Sequence, residues 1–301
     1  MTNRLSAYVI DKLSDVRSFT SIAREVNLSV STVIRIFDLV QYSPTKLPNV
    51  LSIDEFKGNT NGEKYQCILT DPVNRAIVDI LPARYKHSLT DYFKKFDRKQ
   101  TTHFVSDMWG TYYDISNTYF KDATFIVDKY HYIRQVTWAF EAVRKEVQKK
   151  FSKSHRIYFK RSKTLLTSRF DNLSEEQKTQ VMVMLSVDVH LSDAYFLKEQ
   201  FFKIQKCSSS NEAKPLLANW IRDAQNCGIS KFTECAKTMT NWSVGILNSF
   251  DFPYTNGFTE GANNKIKVLK RNAYGFRNFK RFRNRILHIF AYKYKNISDV
   301  A

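Results

Sequence analysis

At 301 residues the chain can hold more than one compact unit, and its hydrophobic (43%) and charged (25%) fractions suit a globular protein with a real core. Lys and Arg number 47 against 29 Asp and Glu, a net charge of +18 that points to a polyanionic partner, nucleic acid ahead of an anionic membrane surface. No apolar run is long enough to span a bilayer and no secretory signal is legible; Cys67, Cys207, Cys227 and Cys235 lack CxxC spacing and a histidine pair, so they read as reduced cytosolic residues rather than a zinc site.

Residues 1–46 read as a small all-α unit. Asn3 to Leu13 forms one amphipathic helix, and Ser18–Val26 and Ser29–Leu39 form two more around Asn27-Leu28. With Ala23 at the fifth position of a helix-turn-helix, the expected apolar sites fall on Ile22, Val26, Leu28, Val33 and Ile36. Asn27 takes the turn position, since Asn tolerates the left-handed region, and Ser29 caps the second helix. Ser31, Thr32 and Arg35 would then face a major groove. The competing reading is a helical hairpin packed on the next domain. Ser43-Pro-Thr-Lys-Leu-Pro48 is a linker whose prolines stop any helix.

Beyond it the pattern turns to strands. Asn49–Phe56, Tyr65–Thr70 and Arg75–Leu81 are expected as an antiparallel meander, with turns over Lys57–Gly62 and Asp71–Asn74. A helix over Ser88–Phe96, a strand over His103–Asp107, a helix over Thr111–Tyr119 and a strand over Ala123–Asp128 follow, then a long helix from Tyr130 to Ser152. Three hairpin strands and then strand-helix-strand is the ribonuclease H-like order, in which the first and fourth strands lie side by side. Asp54 on the first and Asp107 at the end of the fourth would meet at one edge. A lone Asp at a strand end is commonly a turn former; two at matching positions, with Glu260 on a late helix, are a specific signal.

Far more chain separates Asp107 from Glu260 than closing the fold requires, so residues 153–251 are expected as a helical insertion. Ser174-Glu-Glu-Gln177 is a capping box, Ser192 is expected to cap a helix running to Cys207, Gly228 follows a helix with Pro215 near its start, and Ile229–Phe250 is expected as one helix. The basic run Lys145–Lys163 is either a solvated helix face or a DNA-backbone surface, and its expected place beside the catalytic site favours the second. Residues 252–301 close the catalytic domain whose first part is 47–152. From Asn256-Gly257 a helix runs past Arg271, with Glu260, Asn263, Asn264, Lys267, Lys270 and Arg271 on overlapping faces. An acid, then amides, then cations suits a carboxylate at a metal with neighbours on a phosphate backbone; a mixed-charge surface helix is the bland alternative. A stripe at Phe279, Phe282, Ile286 and Phe290 is expected to face the core, with the arginines between facing out.

The segments SIDEF around Asp54, VSDMW around Asp107, VDKYH around Asp128 and FTEGANNKIKVLKRNAYGFRNFKRFRNRI, in this order and spacing, resemble the ISL-three family of bacterial insertion-sequence transposases over residues 47 to 290. The resemblance implies an α/β, ribonuclease H-like domain with a mixed five-stranded sheet, a helical insertion and a preceding helix-turn-helix. It implies Asp54, Asp107 and Glu260 as the catalytic triad, and matches Asp128 and His131 to an Asp-x-x-His motif. Family members commonly carry a cysteine-rich zinc-binding segment ahead of the helix-turn-helix; none is present here, so the chain is either a short member or one that has lost its N-terminus. Oxygen ligation by three carboxylates favours Mg²⁺ or Mn²⁺, and two ions about 3.5–4 Å apart suit hydrolysis at the element's end followed by strand transfer into target DNA. His131 either orients a phosphate oxygen or is a structural histidine. Asn264, Lys267, Lys270 and Arg271 are expected on DNA, the protein is expected to be cytoplasmic and nucleoid-associated, and synapsis of two transposon ends implies a homodimer. A ribonuclease H-like nuclease that cuts without joining, and a silent DNA-binding remnant, are the rival functions.

Overall fold

The structure is a computed structural model that describes residues 2–298. The chain divides into two compact units, one taking residues up to Phe125 and again from Tyr254, the other Ile126–Pro253. They are described in turn as the sheet unit and the helical unit.

The sheet unit opens with α1 (Asn3–Lys12), α2 (Phe19–Glu25) and α3 (Val30–Asp38), each started by a hydroxyl side chain: Thr2, Ser18 and Ser29. These accept otherwise unpaired N–H groups of the first turns. Asn27 adopts φ 52°, the left-handed turn expected of it. Ile22, Ala23, Val33 and Ile36 are buried with Val9, Leu13 and Phe37, and Val26 and Leu28 pack at the margin.

The meander follows as β1 (Val50–Thr60), β2 (Glu63–Asp71) and β3 (Ala76–Leu81). The turn expected over Lys57–Gly62 shrinks to Asn61-Gly62, at φ 56° and 78°. Both residues tolerate positive φ, so a two-residue hairpin turn suffices and β1 stays paired out to Thr60. Asn59, at φ 54°, absorbs a register shift on the way. At the next turn Asp71 Oδ1 accepts from Val73 N and Asn74 N, both at 3.0 Å. Then come α4 (Lys86–Phe93), β4 (His103–Ser106), α5 (Gly110–Tyr119) and β5 (Thr124–Val127). Among the described residues the sheet has five strands, ordered β3-β2-β1-β4-β5, with β1 antiparallel to β2 and parallel to β4. This is the ribonuclease H-like arrangement.

The helical unit holds α6 (Lys129–Lys149), α7 (Lys153–Arg161), α8 (Lys163–Thr167), α9 (Glu175–Leu185), α10 (Val189–Ile204), α11 (Ser210–Asn226), α12 (Ser230–Asn241) and α13 (Ser243–Asp251). α6 was expected to finish the catalytic domain at 152. It falls instead in the compact unit of the later helices, because Val136, Phe140, Val143 and Val147 bury an apolar face there and α6 packs on α10 and α12. The capping box at Ser174 and Gln177 is present. Ser192 lies inside α10 rather than capping it; Asp188 does so by accepting from Leu191 N at 3.0 Å. Ile229–Phe250 is two helices, broken at Trp242, whose φ of −108° and ψ of 10° leave the helical region.

The sheet unit closes with α14 (Gly257–Asn272) and α15 (Phe279–Ser298). Ala262, Ile266 and Leu269 of α14 and Phe282, Ile286 and Ile289 of α15 cover Phe56, Ile68 and Ile80 of the sheet. Phe279 and Phe290 complete the expected stripe at its margin. The arginines beside that stripe do not face out. Arg281 pairs with Asp38 at 2.7 Å, Arg283 with Asp79 at 2.5 Å, and the buried Arg285 donates to the carbonyls of Asp15 (2.9 Å) and Arg17 (2.7 Å). α15 lies between the sheet and the α1–α3 bundle, so its second face is buried too and each guanidinium finds a partner in α3, β3 or the α1–α2 turn, with Arg285 Nη1 left buried without one.

Candidate active site

Strand pleating sends alternate residues of β1 to opposite faces. Ser52, Asp54 and Phe56 face α14; Ile53 and Glu55 face the α4–α5 side. A buried polar ladder fixes α14 on this surface. Ser52 Oγ donates to Asn256 Oδ1, Ser52 and Thr259 hydroxyls lie 3.4 Å apart, and the Thr259 and Thr70 hydroxyls 2.7 Å apart. Unpaired hydroxyls would be costly under a helix, so the ladder sets the helix's position as well as holding it.

One turn further along α14, Asn263 Nδ2 donates to Asp54 Oδ2 at 2.9 Å, while Asp54 Oδ1 accepts from the Glu55 backbone N–H at 2.7 Å. The Asp54 carboxylate is thus held from both sides. The β1–β4 pairs are Val50 with His103, Leu51 with Phe104 and Ser52 with Val105; the same register carried two residues on sets Asp54 opposite Asp107, whose carboxyl feels the Asp54 charge. The structure brings these two acids together as expected.

Asp107 is half-buried, and desolvation is the main reason its carboxyl is pushed up to about 7. The negative charges of Glu55 and Asp54 push the same way, against the Trp109 backbone N–H and the Arg84 charge. Its Oδ1 is buried without a hydrogen-bond partner. Glu55 is the acid that sequence reasoning missed. Arg84 neutralises it at 2.6 Å, and that guanidinium lies 4.4 Å from the Tyr65 ring centroid and 4.8 Å from that of Trp109. Trp109 therefore packs, and what it packs is the cation that balances Glu55. Tyr112 donates to Glu55 Oε2 at 3.3 Å and meets Cys67 Sγ at the same distance. A carboxylate immediately after a candidate catalytic Asp was the available signal; its partner stands across the hairpin and could not be paired from spacing.

Glu260 sits in the first turn of α14, exposed, one turn before Asn263. Among the described residues its carboxylate has no hydrogen bond or ion pair, and no three His, Cys, Asp or Glu side chains are gathered to hold a metal. The expected convergence of three acids is met by two, with the third in solvent on the neighbouring helix. Like charges without a cation keep apart.

Asn264, Lys267 and Arg271 are exposed along α14, with Lys267 Nζ donating to Asn264 Oδ1 at 3.1 Å. Lys270 is not with them: its Nζ donates to the Lys57 carbonyl, and the accompanying burial lowers its pKa. It ties α14 to β1. On α3, Ser31 and Arg35 are exposed, with Thr32 half-buried between them, and Ser29 Oγ accepts from Thr32 N at 3.1 Å. In the helical unit Asp128 is buried at the start of α6, and His131 Nε2 lies 3.9 Å from its Oδ2.

A ribonuclease H-like sheet bearing paired acids, with a helix-turn-helix bundle locked to it by α15, is the make-up of a DNA-processing protein. A family model described as transposase matches residues 51–286, and one described as the helix-turn-helix domain of transposase family ISL3 matches residues 1–40. The chain belongs to the ISL3 family of transposases. It is similar to the transposase for insertion sequence element IS1001 of Bordetella parapertussis, 26% identical over 236 residues that cover 75% of this chain and 57% of that protein. It is also similar to the transposase for IS1557 of Mycobacterium tuberculosis, 25% identical over 256 residues, covering 75% of this chain and 56% of that one. The chain thus spans little more than half the length of these relatives. Among the described residues no helix is long and apolar enough to cross a membrane.

Proposed function

We propose that this chain cuts the ends of an insertion sequence and joins them to target DNA, using Asp54, Asp107 and Glu260. The observation that carries the reading is the register of β1 on β4, Ser52 opposite Val105, which carried two residues on supports Asp54 and Asp107 as neighbours. Asp107 fits an oxygen ligand awaiting a cation: its Oδ1 is buried and unpaired, and two neighbouring acids oppose its ionisation. Asp54, Asp107 and Glu260 would hold Mg²⁺ or Mn²⁺, which supplies charge neutralisation and Lewis-acid activation of water, attacking hydroxyl and leaving oxygen.

The chain's own groups do the positioning. Asn263 and the Glu55 N–H fix the Asp54 carboxylate. Arg84 occupies Glu55 and so keeps it from competing with Asp107 for a cation. Glu260, exposed on a helix anchored through Thr259 and Asn256, would turn from solvent to join Asp54 and Asp107 when a cation is held. Asn264, Lys267 and Arg271 hold the phosphate backbone; Ser31, Thr32 and Arg35 read base edges of the terminal repeat. In this reading residues 1–46 recognise the ends, and two copies of the chain bring two ends together. Asp128 and His131 are left with a structural ion pair or an accessory role.

The test is Mg²⁺-dependent cleavage and strand transfer on labelled DNA carrying the element's ends, comparing wild type with Asp107→Asn. Joined products that vanish in the variant are expected. Cleavage without joining would move the assignment to a nuclease, and binding without cleavage in either protein would make it a DNA-binding remnant.

A further inference from the structure

Tyr130, Arg134 and Trp138 recur at four-residue spacing on one face of α6, opposite the side that Tyr132, Val136, Phe140 and Val143 bury in the core. Two large aromatic rings are left in water on this face: Tyr130 is 52% and Trp138 50% exposed. The Arg134 guanidinium lies between them, 5.6 Å from the Tyr130 ring centroid and 4.0 Å from that of Trp138. Among the described residues no carboxylate pairs with Arg134. Trp138 also forms one wall of a cavity of about 230 Å³ between α6 and α12, whose polar lining includes Gln135, Lys231, Glu234 and Thr238. That volume is below the range of pockets for whole small-molecule ligands and suits a single aromatic ring with polar edges.

Each component narrows the partner. Exposed ring faces call for a flat π-system, and an unpaired guanidinium calls for an anion close beside it. An apolar protein surface would leave the cation unanswered. A duplex offers phosphates and groove edges but keeps its base faces inside the stack, so it has nothing for the rings. Unpaired nucleotides offer a ring face, polar base edges and a phosphate on every unit. We propose that the Tyr130–Arg134–Trp138 ladder is a stacking platform for single-stranded DNA, with the cavity beside Trp138 taking one base. The inference rests on the reading of DNA as the substrate and adds that the helical unit engages unpaired strands.

The test uses the full chain with labelled oligo-dT and a duplex of equal length at one salt concentration. Trp138→Ala weakens oligo-dT binding by about tenfold and duplex binding by less than about twofold, with an unchanged melting temperature. Trp138→Phe keeps most of the affinity but loses the tryptophan quenching that oligo-dT causes in the wild type. Equal losses on both DNAs, or no loss on oligo-dT, would overturn the platform. Wild type that binds duplex but not oligo-dT would overturn it while leaving the transposase reading intact; binding to neither DNA would sink both.

Discussion

Asp107 holds its proton far more tightly than a free carboxyl, and that has a consequence for stability. Its folded pKa, about 7, lies above the ordinary 3.8. Between those values the native state keeps a proton that the unfolded chain has lost, so this contribution is fully present below the unfolded pKa and lost as pH rises through 7. The metal-free chain is therefore expected to melt lower at pH 8 than at pH 6. Asp107→Asn should remove that slope and melt higher than wild type at pH 8 in a chelator, while losing any rise in melting temperature that Mg²⁺ gives the wild type. Parallel pH profiles for the two proteins would show that the buried carboxyl is not the source. The two aspartates were legible in the sequence because one lies within the first strand and the other just after the fourth, in the ribonuclease H-like order that sets those strands side by side. Glu55 and Arg84 were not, since their pairing crosses the β1–β2–β3 meander and depends on which face each strand presents. Lys270 misled for a related reason: spacing placed it on the cationic face, but a long side chain can turn back, and its ammonium found the Lys57 carbonyl.

At the scale of elements, α15 separates what periodicity gives from what it does not. The stripe of Phe282 and Ile286 read correctly as core. The opposite face, rich in arginine, looked solvated because its partners lie some 200 or more residues earlier, Asp38 of the bundle for Arg281 and Asp79 of β3 for Arg283. His288 lies in the same seam, with Nε2 2.7 Å from the Ile10 carbonyl and Nδ1 2.6 Å from the Tyr42 hydroxyl. A carbonyl only accepts, so Nε2 carries the proton and Nδ1 accepts from Tyr42, which is the neutral tautomer. Burial lowers the His288 pKa from its ordinary 6.5, with the Arg285 charge adding to it and the Ile10 bond and Asp11 opposing. The unfolded chain then binds the extra proton first, so stability falls as pH drops below about 6.5 toward the folded value. His288→Asn is expected to be less stable at pH 7 by roughly 1–3 kcal/mol, and to lose less than wild type between pH 7 and pH 5 in thermal melts. The β1–β2 hairpin offers a second check. Gly62 sits at φ 78°, so Gly62→Ala should cost about 1 kcal/mol, read as a lower melting temperature; an unchanged or higher one would mean that the turn relaxes.

For the whole molecule the governing quantity is its charge of +18. Folding uses part of the basic complement internally, as Arg84, Arg281 and Arg283 show, and leaves others on the surface without an acid. Lys267 and Arg271 on α14 differ in kind from Ser31, Thr32 and Arg35 on α3. The former would meet phosphates, whose charge is the same at every step; the latter would meet base edges, which differ. Affinity for DNA should therefore fall steeply and linearly with salt on logarithmic axes, through counterion release. Replacing Lys267 and Arg271 together by Ala should shallow that slope by about two and weaken all sequences alike. Arg35→Ala should reduce the slope much less. Its effect should appear in the ratio between the element's ends and random DNA, which should drop by the equivalent of about 1–3 kcal/mol if α3 reads a base there. Titrations of both DNAs over a salt series separate the two effects. A variant pair with the roles exchanged, α14 changing sequence preference and α3 only the salt slope, would place recognition on the closing helix and leave the bundle as a non-specific anchor.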